Sequence, residues 1–329
     1  MVRVIALMVV VVLLGCTKKE LGKTIWIYTS VYKEVVAELT PILEKKFPGV
    51  KFEWYQAGSE TVAARVNAEL ATGRSKADLV LTSDPFWYQE LAERGHLKKW
   101  VGALHGLKEF QNNLGFFEVI RLPVAVIGFN TEVFKTEKAP VSWADLKSDR
   151  FNNRVSMGSP VESGTAFSMV AQLSQAKGWD YFKALRTNGL LSAGGNSAVL
   201  NRIETKERPV GIILMENMIE AKKRGSPVEF VYPSDGGAVW VPSPIAVMEK
   251  TKEPEVAQAV YEYFFSRAVQ QGFVHGRMYS PIFADLTPQG GKPYDWLFAH
   301  ALPWSTKLLG ELFTQRDAIK RTFVDTVMK

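Results

Sequence analysis

Strands and helices alternate along residues 23–82, and this alternation constrains the fold more than any other feature of the chain. Three short apolar segments have the length and residue types of strands: 23–28, 50–55 and 77–82. The segments between them place their apolar residues on one helical face. A β-α-β-α-β order predicts a parallel sheet with helices on both faces and ligands beyond the carboxyl ends of the strands. The loops at 29–32 and 82–85 are therefore candidate binding loops.

A second α/β unit begins near Val124 and repeats this pattern. Further strands are predicted at 124–130, 154–157, 210–214 and 238–241. Helices are predicted to begin within "VESGTAF", at the loop 192–197, and at Met215. The apolar segment at 244–248 predicts a return crossing to the first unit. Two lobes joined by two crossing strands would enclose a cleft, which is where small ligands bind.

This pattern predicts an α/β fold of two lobes, each a doubly wound, mostly parallel sheet. We expect lobe 1 to comprise residues 23–122 and 243–329, and lobe 2 to comprise residues 123–242. The side on which residues beyond about 285 pack stays open. The two crossovers, near Leu122-Pro123 and Val241-Pro242, are the predicted hinge.

The N-terminus has the features of an export signal. Arg3 precedes the uncharged segment "VIALMVVVVLLG", which is too short to span a membrane, so we interpret residues 1–15 as a signal peptide. The ending "LLGC" is typical of a bacterial lipoprotein, with lipidation of Cys16, the sole cysteine, and a tether at 16–22. The alternative is an ordinary secretory peptide with an incidental cysteine. We expect the protein in the periplasm or at the cell surface, held to the membrane only by this lipid.

Three loops of the second unit share one pattern, in which small polar residues follow a strand and begin a helix. They are 162–165, 194–197 and 215–217. Such residues can simply cap a helix. They can also present free N–H groups and hydroxyls to an anion, and Gly164 would let the backbone approach it closely. Because three such loops would meet at one sheet edge, anion binding is the favoured interpretation.

Other residues of the candidate loops suit the remainder of a ligand. Tyr32 begins a helix directly after Thr29-Ser30, and Asp84 and Glu216 stand in loops of the predicted cleft. A carboxylate is a poor ligand for an anion but a good one for a hydroxyl or an ammonium on the same molecule. Each aromatic residue, taken singly, is also explained as core packing.

Composition argues against catalysis and nucleic-acid binding. The formal net charge of +6 falls to +5 when Arg3 is removed, and the basic residues are spread along the chain. None of the four histidines, His96, His105, His275 and His300, lies in a candidate loop, and no pair has metal-ligand spacing. No nucleophile elbow or phosphate-binding glycine motif occurs. We expect no enzyme activity, metal or cofactor.

The sequence resembles a known family along most of its mature length. The segments that carry the resemblance are "IWIYTSVYKEVVAELTPILEKKFPGVKFEW", "ADLVLTSDPFWYQELAERG", "RVSMGSPVESGTAF", "GNSAVLNRIETKERPVGIILMEN" and "EPEVAQAVYEYFFSRAVQQ". They are similar to extracytoplasmic solute-binding proteins of ABC importers, in the branch of the periplasmic ferric-ion-binding proteins. The resemblance implies the type 2 periplasmic binding protein fold, in which two lobes close on the ligand.

The residues at the ligand positions of that family fall into two groups, one that differs from the family and one that is retained. Its iron ligands would fall on Tyr32, on Ser83 or Asp84, and on Met215-Glu216, and a Met-Glu pair cannot replace two tyrosine phenolates. Its phosphate-holding positions are retained as Ser163-Gly164, with Thr165 following, and as Asn196-Ser197. The resemblance thus implies that the anion-binding half of the site is kept and the metal-binding half is lost.

Relatives with this pattern import hexose phosphates or 2-aminoethylphosphonate, which implies a small phosphorylated or phosphonylated organic solute. The residues expected at its phosphoryl end are Ser163, Gly164, Thr165, Asn196, Ser197, Thr29 and Ser30. Those expected at the rest of the solute are Tyr32, Ser83, Asp84, Glu216 and Asn217. We expect a monomer that docks an ABC permease in the inner membrane. A ferric or other metal carrier with altered ligands, and an enzyme on the same fold, are the alternatives.

Overall fold

The computed structural model describes residues 22–111 and 114–329, so the predicted signal peptide and Cys16 lie outside the described residues. Eleven strands form two sheets in the described part. They are β1 Lys23–Thr29, β2 Val50–Gln56, β3 Leu79–Leu81, β4 Glu118–Arg121, β5 Val124–Asn130, β6 Val155–Met157, β7 Leu191–Ser192, β8 Val210–Leu214, β9 Val228–Val231, β10 Val239–Trp240 and β11 Ser243–Val247.

Helices cover the sheets and form the C-terminal segment. They are α1 Lys33–Lys46, α2 Ser59–Ala71, α3 Pro85–Glu93, α4 Gly164–Lys177, α5 Trp179–Thr187, α6 Asn196–Glu204, α7 Met215–Lys223, α8 Pro254–Tyr263, α9 Arg267–His275, α10 Tyr294–Ala299, α11 Thr306–Phe313 and α12 Arg316–Phe323. A π-helical turn, Val324–Met328, follows α12. Short 3-10 turns occur at Lys108–Phe110, Val133–Lys135, Asp145–Lys147 and Asp149–Phe151.

The first sheet has the strand order β2-β1-β3-β11-β4. The strands β2, β1 and β3 are parallel, and β11 runs antiparallel to both of its neighbours. Alternation along β1 sends Ile25 and Ile27 to a core shared with α1 and α9, and Tyr28 to a core shared with α2 and α3. Both faces of this sheet are therefore covered, as a parallel α/β sheet requires.

The second sheet contains the path β10-β5-β8-β6-β7, and β9 also pairs with β5. The strands β8, β6 and β7 are parallel, and β5 is antiparallel to β8, β9 and β10. Its central strands are wholly buried, which explains their continuous apolar sequence. The strands and helices predicted from the sequence are confirmed. Three strands, β4, β7 and β9, were not predicted.

The chain passes between the two sheets at three places. Leu122-Pro123 joins β4 to β5, and Val241-Pro242 joins β10 to β11. These two crossings lie side by side, because the Val241 N–H donates to the Pro123 carbonyl at 2.9 Å. A third crossing follows Tyr279, which pairs with Leu122, and leads to Ala301, which pairs with Ala238. A C-terminal crossing is thus present in addition to the two crossings predicted from the sequence.

The C-terminal helices contact elements beside both sheets. The helix α11 packs against α3, whereas α12 packs against α4 and the π-helical turn packs against α5. Residues beyond about 285 are therefore not confined to the side of the first sheet. The division into lobes at residues 122–123 and 242–243 stays a prediction.

Candidate functional site

A polar cleft of about 590 Å³ lies between the two sheets. On the side of the first sheet it is lined by the loops after β1, β2 and β3, and on the other side by the loops after β6, β7 and β8. All six strands end at the cleft with their carboxyl ends. The cleft therefore has the position at which open α/β sheets bind ligands.

Five helices begin at this cleft: α1, α2, α4, α6 and α7. Of these five helices, as far as the described residues show, α4 alone has a side-chain N-cap, in which Ser163 Oγ accepts from the Ala166 N–H at 3.3 Å. The other four helices begin at Tyr32, Gly58, Gly195 and Leu214 without such a cap. First-turn N–H groups have no partner within their own helix and carry partial positive charge. These helix starts thus add hydrogen-bond donors with partial positive charge to the cleft wall.

The predicted anion residues of the second sheet form one hydrogen-bonded group. Ser163 Oγ lies 2.8 Å from Thr165 Oγ1, which accepts from Asn196 Nδ2 at 2.8 Å. Asn196 Oδ1 in turn accepts from the Leu214 N–H at 3.3 Å. Ser197 also lines the cleft. The loops after β6, β7 and β8 are therefore held in fixed positions relative to one another.

Gly164 has a different place from the one expected, because it faces the opposite lobe and does not line the cleft. A Cβ on this residue would lie 2.7 Å from Ser59 Cβ and 3.1 Å from Asp84 Cβ. Ser168 Oγ, on the same helix, donates to the Ser83 carbonyl at 3.1 Å. The glycine thus permits close contact between the start of α4 and the loops after β2 and β3.

Arg121 is the main cleft residue that the sequence did not reveal. It ends β4, is 3 % exposed, and donates from Nη2 to Ser83 Oγ at 2.9 Å and to Ser30 Oγ at 3.4 Å. Its Nε has no hydrogen-bond partner, and no acidic residue within 22–111 or 114–329 forms an ion pair with it. Burial lowers the pKa of the guanidinium to about 10. A lone arginine within the apolar stretch "VIRLPVAV" was the available signal.

Glu216 is a buried acidic residue in the same cleft. It lies in the first turn of α7, is 2 % exposed, and neither of its carboxylate oxygens has a hydrogen-bond partner among the described residues. Burial raises the pKa of this carboxyl to about 8, although the N–H of Glu216 itself and the charge of Arg121 act in the other direction. Burial therefore favours the protonated, uncharged form of this carboxyl.

Tyr32 and Asn217 close one side of the cleft. The Tyr32 hydroxyl donates to Asn217 Oδ1 at 3.0 Å, which links the start of α1 to the start of α7. Burial and the nearby Glu216 raise the pKa of the Tyr32 hydroxyl. A second cavity of about 620 Å³ lies beside this pair and shares Tyr32 and Glu216 with the cleft. His275, which lies outside the candidate loops, lines this second cavity.

Thr29 and Asp84, like Gly164, do not line the cleft, and Asn217 lines only the second cavity. Thr29 Oγ1 donates to the Leu81 carbonyl at 2.9 Å and accepts from the Val31 N–H at 3.0 Å, so it stabilises the turn after β1. Asp84 caps α3 and accepts from Arg316 Nη2 at 2.7 Å. Ser30, Ser83 and Ser59 line the cleft from the first sheet, and Ser59 was not predicted.

Within the described residues, no group of three histidine, cysteine, aspartate or glutamate side chains is placed to hold a metal ion. The helices of this part of the chain are all too short or too polar to span a bilayer.

Two α/β lobes that enclose a polar cleft and are joined by crossing strands define a solute-binding protein. The chain belongs to the family of bacterial extracellular solute-binding proteins, whose sequence profile matches residues 74–297. The predicted resemblance is thereby confirmed. Proteins of this class act in the periplasm and deliver small solutes to ABC permeases.

Individual relatives are distant. A protein of Salmonella paratyphi A, provisionally named a 2-aminoethylphosphonate-binding periplasmic protein, is 20% identical over 252 residues, which cover 74% of this chain and 73% of the relative. Among solved structures, AfuA of Actinobacillus pleuropneumoniae with bound fructose-6-phosphate is 20% identical with a TM-score of 0.78, covering 93% of this chain and 99% of AfuA. Iron-bound HitA of Pseudomonas aeruginosa is 21% identical with a TM-score of 0.78, covering 92% and 99%. These similarities confirm the predicted periplasmic binding protein fold.

Replacement of Gly164 by alanine should hold the lobes apart. The added methyl group would overlap Ser59 and Asp84 without straining the helical backbone. We expect a larger radius of gyration by small-angle X-ray scattering and an almost unchanged melting temperature. Gly58→Ala is the control, because no described atom lies within 4 Å of its added Cβ. Identical scattering of Gly164→Ala and wild type would contradict the prediction.

Replacement of Glu216 by glutamine should change how stability depends on pH. The pKa of Glu216 is about 8 in the folded protein and about 4.5 when unfolded, so the folded state holds the extra proton between these values. The free energy of unfolding contributed by Glu216 therefore falls as the pH rises from about 4.5 to about 8. We expect urea denaturation to show Glu216→Gln gaining stability relative to wild type between pH 5 and pH 9.

The control for this measurement is Glu207→Gln, because Glu207 is exposed. Its stability relative to wild type should change little between the two pH values. A stability difference between Glu216→Gln and wild type that is the same at pH 5 and pH 9 would show that Glu216 titrates normally.

Proposed function

We propose that this protein is a lipid-anchored receptor of an ABC importer that captures a small phosphorylated or phosphonylated organic solute in the interlobe cleft. The observation that carries the proposal is Arg121, a buried guanidinium that forms no ion pair within the described residues, at a cleft onto which five helix N-termini open. A buried charge without a partner is costly, so a bound anion would stabilise this site strongly.

The phosphoryl or phosphonyl group is proposed to lie between the two sheets. Arg121, Ser30 and Ser83 would bind it from one side, and Ser163, Thr165, Asn196 and Ser197 from the other. Hydroxyl and backbone donors match the several oxygens of a tetrahedral oxyanion. Contact with both sides would favour the closed cleft, because a ligand shifts a conformational equilibrium only through its differential affinity for the two states. The two adjacent crossings at Pro123 and Val241 are the proposed hinge.

The rest of the solute is proposed to contact Glu216, with Tyr32 and Asn217 nearby. Glu216 has two buried oxygens without hydrogen-bond partners in the part of the chain described, so a hydroxyl or ammonium donor on the solute would satisfy them. The second cavity beside Tyr32 offers room for a larger organic part. Thr29 and Asp84 are not included, because their polar groups are engaged elsewhere.

Ferric iron is the less suitable cargo. A buried arginine in the cleft repels a trivalent cation, and Met215-Glu216 offers one hard oxygen ligand where a phenolate pair would offer two. The comparison with HitA concerns the fold alone, since the identity is 21%. We therefore treat iron binding as an outcome of the binding test.

The anion site is tested by calorimetry with 2-aminoethylphosphonate, glucose 6-phosphate, glycerol 3-phosphate, inorganic phosphate and ferric citrate. We expect at least one phosphoryl or phosphonyl compound to bind. Arg121→Gln should weaken this binding by about 100-fold, because a charged hydrogen-bond donor is lost from a buried site. Thr165→Asp should abolish it, because the added carboxylate would repel the anion.

The matched control is Arg186→Gln, which makes the same charge change at an exposed position of α5. It should bind the solute as wild type does. Two results would overturn the proposal: binding of ferric citrate alone, or unchanged phosphonate affinity in Arg121→Gln. Turnover of a bound compound would support an enzyme instead.

The lipid anchor is a separate part of the proposal and is carried by the sequence "LLGC". We expect the full-length chain, expressed in a bacterium fed labelled palmitate, to incorporate the label and to sediment with membranes. Cys16→Ser should lose both properties, whereas Thr17→Ser should keep them. Labelling that persists in Cys16→Ser would exclude Cys16 as the anchor.

A further inference from the structure

The C-terminal helix α12 places two basic side chains behind the cleft. Arg316 and Lys320 are four residues apart and therefore lie on the same face of the helix. Their side chains are only 14% and 15% exposed, respectively. Neither residue lines the cleft, so neither is part of the proposed solute site.

Both side chains form ion pairs with acidic residues in the segments that follow β2 and β3 of the first sheet. Arg316 donates from Nη2 to Asp84 Oδ2 at 2.7 Å and from Nε to the same oxygen at 3.2 Å. Lys320 Nζ lies 2.9 Å from Glu60 Oε2, and Arg316 Nη2 lies 3.6 Å from Glu60 Oε1. Asp84 directly follows Ser83, and Glu60 directly follows Ser59. Each acid therefore stands next to a serine that lines the cleft.

The same two side chains also lie over Phe167 of α4. The Arg316 Cζ atom is 5.6 Å and the Lys320 Nζ atom 5.2 Å from the centroid of its ring, within the range of cation–π interactions. Phe167 comes two residues after Thr165, a residue of the anion-binding group. Its ring also packs edge-on against Phe86 of α3 at a centroid distance of 5.3 Å. One face of α12 thus contacts residues next to both walls of the cleft: Glu60 and Asp84 on the side of the first sheet, and Phe167 on the side of the second.

The charges of this cluster depend on one another. Burial and the nearby Asp84 raise the pKa of the Glu60 carboxyl, whereas Lys320 and Arg316 act in the other direction. Asp84 is 2 % exposed and also accepts hydrogen bonds from the Phe86 and Trp87 N–H groups. Loss of Arg316 or Lys320 would leave the carboxylate of Asp84 or Glu60 buried without its positively charged partner. This favours movement of that carboxylate toward solvent.

We propose that Arg316 and Lys320 are positioning residues that stabilise the closed cleft, because they hold the start of α2 at Ser59 and the loop of Ser83 against the start of α4. They would thereby raise the affinity for the solute without touching it. The proposal concerns lobe closure and does not depend on which solute binds.

The first test measures the distance between the lobes in the absence of solute. Spin labels are attached at Glu44→Cys on α1 and Asn201→Cys on α6, both exposed positions, in the mature chain carrying Cys16→Ala. We expect Arg316→Gln and Lys320→Gln each to shift the distance distribution toward longer values. Lys307→Gln is the control, because Lys307 is exposed and pairs with Glu311 of its own helix.

The second test separates closure from simple loss of stability. In Lys320→Gln we expect about tenfold weaker binding of 2-aminoethylphosphonate, a typical size for coupling between distant groups, with a melting temperature close to that of Lys307→Gln. The charge swap Glu60→Lys with Lys320→Glu should restore the wild-type distance, and Arg316→Lys should restore it in part.

The outcomes distinguish this inference from the proposed function. Unchanged distances in both glutamine variants would overturn the role of α12 even if phosphonates bind. Longer distances in the glutamine variants, together with no binding of any phosphoryl compound to wild type, would support the role of α12 in closure and reject the proposed solute. Distances that increase only in variants with a lowered melting temperature, and that the charge swap does not restore, would show a purely structural role.

Discussion

The facing carboxyl ends of the parallel strands of two mixed sheets are the constraint on which the site depends. Each parallel strand is followed by a helix whose N-terminus lies at the same sheet edge, so two facing edges bring several helix N-termini together. Here α1 and α2 face α4, α6 and α7 across one cleft. The fold itself thus supplies much of the positive potential, and the side chains need only refine it.

Arg121 and Glu216 show how that refinement is made. Both are buried in one cleft, yet they form no ion pair with each other, and atoms of both lack hydrogen-bond partners among the described residues. Such an arrangement does not serve stability, since a joined pair would cost less than two separate charges. It suits a ligand with an anionic group and a donor group, which would complement the two residues separately. Protonation of Glu216 relieves part of the cost until such a donor arrives.

The sequence predicted the elements that local pattern determines. The strands and helices of 23–82, and the grouping of Ser163, Thr165 and Asn196, follow from periodicity and from helix-start residues. Contacts between segments far apart in the chain were not predictable in this way. Arg121 reaches the cleft only because β4 pairs with β11, about 120 residues later. The position of Asp84 directly after β3 predicted that it would lie in the cleft. Its carboxylate instead accepts a hydrogen bond from Arg316, 232 residues away.

The path of the C-terminal segment explains why closure involves more than the two predicted crossings. Because Tyr279 pairs with Leu122 and α12 packs against α4, the chain after α9 leaves the first sheet and ends beside the second. The helix α11 still contacts α3, so the two residues between α11 and α12 join a helix on one side to a helix on the other. Any opening of the cleft must strain this link or break the pairs of Arg316 and Lys320 with Asp84 and Glu60. A rigid link would oppose opening altogether, whereas ion pairs can form and break, which makes them suitable contacts for a cleft that has to release its solute.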